Sequence, residues 1–68
     1  MEKKQIKHIG YDAFGRELFK TRDGKIVCDV AMDYTHSHMD LATKRTKNGE
    51  PEYGLNSEEY EVVDKFKD

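Results

Sequence analysis

Glu17-Leu18-Phe19-Lys20-Thr21-Arg22-Asp23-Gly24-Lys25-Ile26-Val27-Cys28-Asp29-Val30 is the stretch whose reading decides the fold. Two β-prone runs, residues 17–21 and 26–30, flank an Asp23-Gly24 pair, and Asp-Gly between such runs is among the strongest short-range signals for a hairpin. The register has two solutions. A two-residue turn pairs Thr21 with Ile26 and Phe19 with Cys28, placing Phe19, Ile26, Cys28 and Val30 on one face. A longer loop with a bulge at Gly24 sets Glu17 opposite Asp29, and like charges directly opposite are unfavourable. The two-residue turn is therefore the expected one.

Upstream, residues 6–12 alternate as a strand does, with Ile6, His8 and Gly10 on one face and Lys7, Ile9 and Tyr11 on the other. Residues 13–16 form a turn in which Gly15 supplies the positive φ. Residues 1–5 read as a frayed start. Downstream, residues 33–38 are polar and read as a loop, residues 39–43 as a short strand and residues 47–51 as a turn. Pro51 rules out a central strand at its position. Residues 55–67 admit two readings. As a helix, Asn56 is the N-cap, Glu59 closes a capping box and Leu55 packs on Tyr60. As a strand, Tyr60-Glu61-Val62 alternates and the Val62-Val63 pair suits a sheet. The helix is slightly preferred. The expected fold is α+β and mainly β: one domain over residues 1–68, a small antiparallel β-meander of three or four strands with a short C-terminal helix or extra strand. Its expected core is Phe19, Ile26, Cys28 and Val30 with Ile9, Val62 and Phe66.

Composition limits what such a domain can do. The 68 residues are 35% hydrophobic and 38% charged, against roughly 45–50% apolar in an average globular domain. A chain this short buries only about 60% of the surface its unfolded form exposes. The thin core holds a scaffold and leaves little to enclose a water-excluded reaction chamber, so no enzymatic activity is expected. A single cysteine, Cys28, argues against a disulfide-stapled secreted domain. The first twenty residues contain no apolar run for a signal peptide or membrane span. Cytoplasmic localisation without membrane association is the resulting expectation. The net charge is −2. Its signs alternate along the chain, with +3 over residues 1–25, −3 over 26–40, +3 over 41–49 and −5 over 50–68. Such alternation reads first as a solvated mixed surface, and otherwise as opposite signs facing each other within the fold or on a partner.

Three groups of residues carry candidate chemistry. His36, His38 and Asp40 alternate, so on an extended backbone all three project to one side, where imidazole and carboxylate can hold Zn²⁺. His8 or Asp33 are the obvious fourth ligands. The string Thr35-His36-Ser37-His38-Met39-Asp40 matches the opening of the metallo-β-lactamase metal motif. However, Leu41 stands where that family has another histidine, and 68 residues cannot build its two-metal fold. Lys44, Arg45 and Lys47 form a compact basic cluster that, with Tyr11 and Phe14 as stacking faces, suits nucleic acid; a pI of 5.9 speaks against it. Cys28, inside a strand on the apolar face, reads as a small hydrophobe rather than a nucleophile.

His8-Ile9-Gly10-Tyr11-Asp12, Asp23-Gly24-Lys25 with Asp29, Leu41-Ala42-Thr43-Lys44 and Gly49-Glu50-Pro51-Glu52 occur in an order that resembles a group of short uncharacterised proteins. These are encoded by phages and mobile elements of Gram-positive bacteria, with the pattern I-G-x-D, D-G-K, D, L-x-T-K and G-E-P. The resemblance covers residues 8–52. It departs from the pattern at Leu18-Phe19 and at residues 35–38, and it implies no site residues. It implies a phage accessory role, such as disabling a host or defence protein. The expected function is thus a non-enzymatic binding module for an unidentified protein partner. Nucleic-acid or nucleotide-ligand binding through Lys44, Arg45 and Lys47 is the alternative, and a metal-dependent enzyme using His36, His38 and Asp40 a distant third. No cofactor is required by the first two. A homodimer through an exposed edge strand is a further expectation.

Overall fold

The hairpin around Asp23-Gly24 forms, in the longer of its two registers. In the computed structural model, which describes residues 3–67, β2 (Glu17–Thr21) pairs antiparallel with β3 (Ile26–Asp29), Leu18 against Cys28 and Phe19 against Val27. The loop is closed by Thr21: its N–H donates to the Lys25 carbonyl at 2.9 Å and its carbonyl accepts from Gly24 at 3.0 Å. Gly24 has φ +89°, the left-handed residue that ends a three-residue hairpin loop. The Thr21 hydroxyl also accepts from Lys25 N–H at 2.9 Å and donates to Asp23. This register corrects the expected two-residue turn and splits the expected core. Phe19 and Cys28 lie on opposite faces, and Val30 is exposed. Like charge at Glu17 and Asp29 does not oppose it, because each carboxylate is taken up by its own donors.

On either side the chain builds β1 (Lys4–Tyr11), β4 (Leu41–Lys44), β5 (Pro51–Gly54) and β6 (Tyr60–Val63). The sheet order is β5-β4-β3-β2-β1-β6. The first five strands form an antiparallel meander, longer than expected, with Pro51 opening an edge strand. β6 crosses to the far edge and runs parallel to β1, pairing Lys4 with Tyr60 and Gln5 with Glu61. Lys4 and Gln5, expected to be frayed, are therefore sheet residues; residues 1 and 2 lie outside the described residues. The preferred C-terminal helix is absent. Asn56 does cap, accepting from Glu58 N–H, but only one 3-10 turn follows, Ser57–Glu59. The free edge of β1 then captures Tyr60–Val63 as a strand.

Residues 55–59 also shape the sheet. Leu55 N–H donates to the Leu41 carbonyl and the Ser57 hydroxyl accepts from Leu41 N–H, so this segment starts beside β4. Five residues later Tyr60 is in β6. Four strand spacings of a flat sheet span ~19 Å, whereas five fully extended residues reach roughly 17 Å and a 3-10 turn shortens that. The sheet must curl to let the segment cross. Its covered face buries Ile6, Phe19, Val27 and Leu41, with Met39, Leu55, Tyr60 and Val62 packed around them. The other face buries Leu18, Cys28 and Ala42 beneath Ile9 and Ile26. Phe66 is half-buried under the Arg22 guanidinium, 5.7 Å from its ring centroid. Among the described residues no helix is long and apolar enough to cross a membrane.

Candidate binding surface

Three aspartates organise the loops at one end of the sheet. Asp12 lies at the end of β1 with its carboxylate fully buried. Oδ1 accepts from the Phe14 and Arg16 N–H groups, both at 2.9 Å. Oδ2 accepts from Arg16 Nε at 2.6 Å and Lys44 Nζ at 3.0 Å. Burial pushes this carboxyl up, and the Arg16, Lys44 and Phe14 hydrogen bonds outweigh that, holding it far below the ordinary carboxylate range. Asp29, also buried, accepts through Oδ1 from Ala31 N–H at 3.0 Å and Asp40 N–H at 2.9 Å, and through Oδ2 from Asp33 N–H at 2.9 Å. It thus ties both ends of the 30–40 segment together. Asp33 repeats the device within the loop, accepting from the Thr35 hydroxyl and N–H and from His38 N–H. Those bonds, the Thr35 hydroxyl first, lower its carboxyl to about 2. The segment that reads as a polar loop is thereby an ordered one.

On this frame β1, β2 and the 30–40 loop present aromatic side chains together. Ile9 is the extra residue of a β-bulge in β1: His8 pairs with Phe19, but Gly10, at φ +145°, pairs with Leu18 and Tyr11 with Glu17. The bulge moves Tyr11 onto the face of His8, where strict alternation had separated them. A run of rings results. Tyr34 lies 6.2 Å from Tyr11, Tyr11 5.1 Å from His8, His8 5.7 Å from Phe19 and Phe19 5.8 Å from His36. Beneath them the buried Glu17 carboxylate faces His36 Nε2 at 2.9 Å and His8 Nε2 at 3.7 Å. The Tyr34 hydroxyl donates to the Gly15 carbonyl at 2.6 Å, joining the two loops. Met32 closes on Gly15 from the same loop as Tyr34. Tyr11 is 59% exposed, Phe14 68%, Tyr34 50% and Met32 41%.

The sequence-derived candidates fare unequally. Tyr11 is in this run of rings; Phe14 is exposed on the 12–16 loop, with the Arg16 guanidinium 5.1 Å from its ring centroid. The basic cluster is divided. Lys44 is buried, its ammonium donating to Asp12 and to the Lys47 carbonyl at 2.8 Å. Arg45 is exposed and 3.4 Å from Glu52, and Lys47 is exposed nearby. His36, His38 and Asp40 do not converge. His36 takes φ +64° and turns onto Glu17, the His38 side chain is 93% exposed, and Asp40 contributes its N–H to Asp29. Among the described residues, no group of three His, Cys, Asp or Glu side chains is arranged to hold a metal ion. Cys28 is buried, and burial pushes its thiol up.

No family model, curated protein or solved structure matches the chain. The geometry must carry the functional reading. Met32, Tyr34 and Glu17 were missed from sequence, and His8 was read only as a candidate metal ligand. For Tyr34 and Met32 a signal existed, apolar side chains inside a polar run. For Tyr11's neighbours it did not, since the bulge decides their face.

Proposed function

We propose that this chain is a non-enzymatic binding module that docks a folded protein partner on the surface formed by Tyr11, Phe14, Met32 and Tyr34. One observation carries the reading: these exposed side chains stand at the end of β1 and on the two loops beside it, whose backbones are tied down by the buried Asp12 and Asp29 carboxylates. Large apolar groups shown together to water carry a solubility cost unless they meet a partner. Tyrosines on pre-ordered loops lose little conformational freedom on binding, which is what makes them effective anchors. The charged groups beneath are already paired, Arg16 with Asp12 and His36 with Glu17, so the surface suits an apolar recess rather than a charged one. The resemblance of residues 8–52 to short uncharacterised proteins of phages and mobile elements, with the accessory role it implies, favours a host or defence protein as partner. The buried, unpaired Cys28 fits a reducing cytoplasm.

The test is a comparison of wild type with Tyr11→Ala and Tyr34→Ala, each first shown to be folded by circular dichroism. Immobilised wild-type protein should retain one stoichiometric protein from a Gram-positive lysate. With that protein purified, each variant should bind at least about tenfold more weakly by calorimetry. Equal affinity of the variants, or no protein retained by wild type, overturns the reading.

A further inference from the structure

At the opposite end of the covered face lies a cleft of about 580 Å³, within the size range of small-ligand sites. Its rim joins the start of β1 to the β2–β3 hairpin tip and carries Lys3, Lys4, Arg22, Lys25 and Lys67, with Asp23 the acid among the described lining residues. Its floor is apolar and aromatic: Val27, Leu55 and the Tyr60 ring, over which Lys4 Nζ stands 5.6 Å from the centroid. Thr43 and Gln5 add neutral polar groups. A chain of net charge −2 thus gathers five bases around one concavity, where converging like charges raise the local concentration of anions.

The rim is neither exhausted by internal pairs nor free of them. Lys4 Nζ is 3.8 Å from Glu59 and Lys25 Nζ 4.0 Å from Asp23, both exposed and therefore weak. Arg22 is held by the Lys67 carbonyl and the Phe66 ring, which fixes the C-terminal segment as one wall. Basic groups above an aromatic floor match a ligand with a planar apolar body and several negative charges. We infer that this cleft binds a nucleoside di- or triphosphate, base toward Tyr60 and Leu55, phosphates toward Lys3, Lys25 and Lys67. The site is separate from the tyrosine surface, and from Lys44, Arg45 and Lys47.

The experiment is a titration of ¹⁵N-labelled full chain with ADP, pyrophosphate and adenosine. ADP should give saturable shifts at Lys25, Thr43, Leu55 and Tyr60, weakening severalfold between about 50 and 200 mM salt. Pyrophosphate and adenosine should each bind at least about tenfold more weakly than ADP. Lys3→Glu and Lys25→Glu, exposed positions whose reversal leaves thermal unfolding unchanged, should each weaken ADP at least about tenfold; Tyr34→Ala should not. Absence of saturable shifts up to ~5 mM ADP overturns the site, as does ADP binding indifferent to both lysine reversals. Equal binding of pyrophosphate and ADP overturns the role of the floor. Tight binding of a single-stranded oligonucleotide at these residues, with none of ADP, overturns the mononucleotide assignment in favour of nucleic acid.

Discussion

Replacing Lys44 with methionine tests whether this residue belongs to the scaffold or to the surface. Its ammonium is fully buried, 3.0 Å from Asp12 Oδ2 and 2.8 Å from the Lys47 carbonyl. Lys44→Met keeps the unbranched stem of the side chain and deletes the ammonium. Asp12 then holds an uncompensated share of buried negative charge, and the Lys47 carbonyl loses its donor. Removing one partner of a buried ion pair costs about 3–5 kcal/mol. Asp12 keeps Arg16 Nε at 2.6 Å and two backbone donors, which sets the cost near the lower end, ~3 kcal/mol. A domain of this size has a total stability of about 3–10 kcal/mol. The variant should therefore melt roughly 12–24 °C lower, followed by far-ultraviolet circular dichroism. In a cycle with Asp12→Asn, the double variant should be less destabilised than the sum of the singles by about 1–3 kcal/mol. Arg45→Ala, next in sequence but exposed beside Glu52, should change stability by less than ~0.5 kcal/mol. A Lys44→Met protein that melts within ~4 °C of the parent refutes the buried pair and returns Lys44 to the basic surface cluster.

Three further outcomes follow from the same structure. Gly24→Ala should cost about 1–2 kcal/mol in urea unfolding, because φ there is +89° while the nearest atom to an added Cβ, Lys20 Cε, is an unstrained 3.9 Å away; Gly54→Ala, with open space and no positive φ, is the control and should be near neutral. Cys28 should resist thiol reagents in the native protein and react fully once unfolded in urea, since it is buried and its thiol is pushed up; prompt stoichiometric modification without denaturant contradicts the assigned face of β3. Asp12 and Asp33 both titrate below their unfolded values, so their contribution is complete above about pH 4 and is lost as pH falls through the folded values; a melting temperature that holds or rises from pH 4 to pH 2.5 contradicts the hydrogen-bonding assigned to both.

Much of the mainly-β architecture was legible because its signals are local. Asp23-Gly24 gives a hairpin, Pro51 excludes a central strand and Asn56 gives a cap, each through the chemistry of one or two residues. What was not legible depends on partners distant in sequence. The longer hairpin register was rejected for setting Glu17 near Asp29, yet Asp29 is occupied by Ala31, Asp33 and Asp40 N–H groups and Glu17 faces two histidines. Apart from His8, these partners come into place only when the 30–40 segment folds back. The bulge at Ile9 inverts the face of Tyr11, and a period of two cannot announce its own interruption. Lys44 and Arg45 look alike in sequence, but a strand sends neighbours to opposite faces, and only the inward one meets Asp12. Residues 56–63 carry a sound helix start, and a competing edge on β1 ends it after one turn.

The residues that carry the resemblance divide from those of the proposed surface along this same line. Asp12, Gly24, Asp29 and Lys44 all fall within the motifs on which the resemblance rests, and in the structure they are joints: two loop-organising carboxylates, one turn glycine and one buried counter-charge. Tyr11 occupies the open position of I-G-x-D, while Met32, Tyr34 and His36 fall between Asp29 and Leu41, where the pattern specifies nothing. A scaffold fixed by polar joints leaves the residues between them free to change without loss of the fold, because loop backbones held by Asp12 and Asp29 do not depend on the side chains they display. Proteins sharing the pattern are therefore expected to share this sheet and to differ in what docks on it. Grafting residues 30–38 from a protein that carries the same motifs between Asp29 and Met39, with the Asp29 and Asp33 carboxylates retained, should transfer partner choice while leaving the melting temperature within a few degrees. Unfolding of such a graft would show that Tyr34 and His36 serve the scaffold rather than the surface.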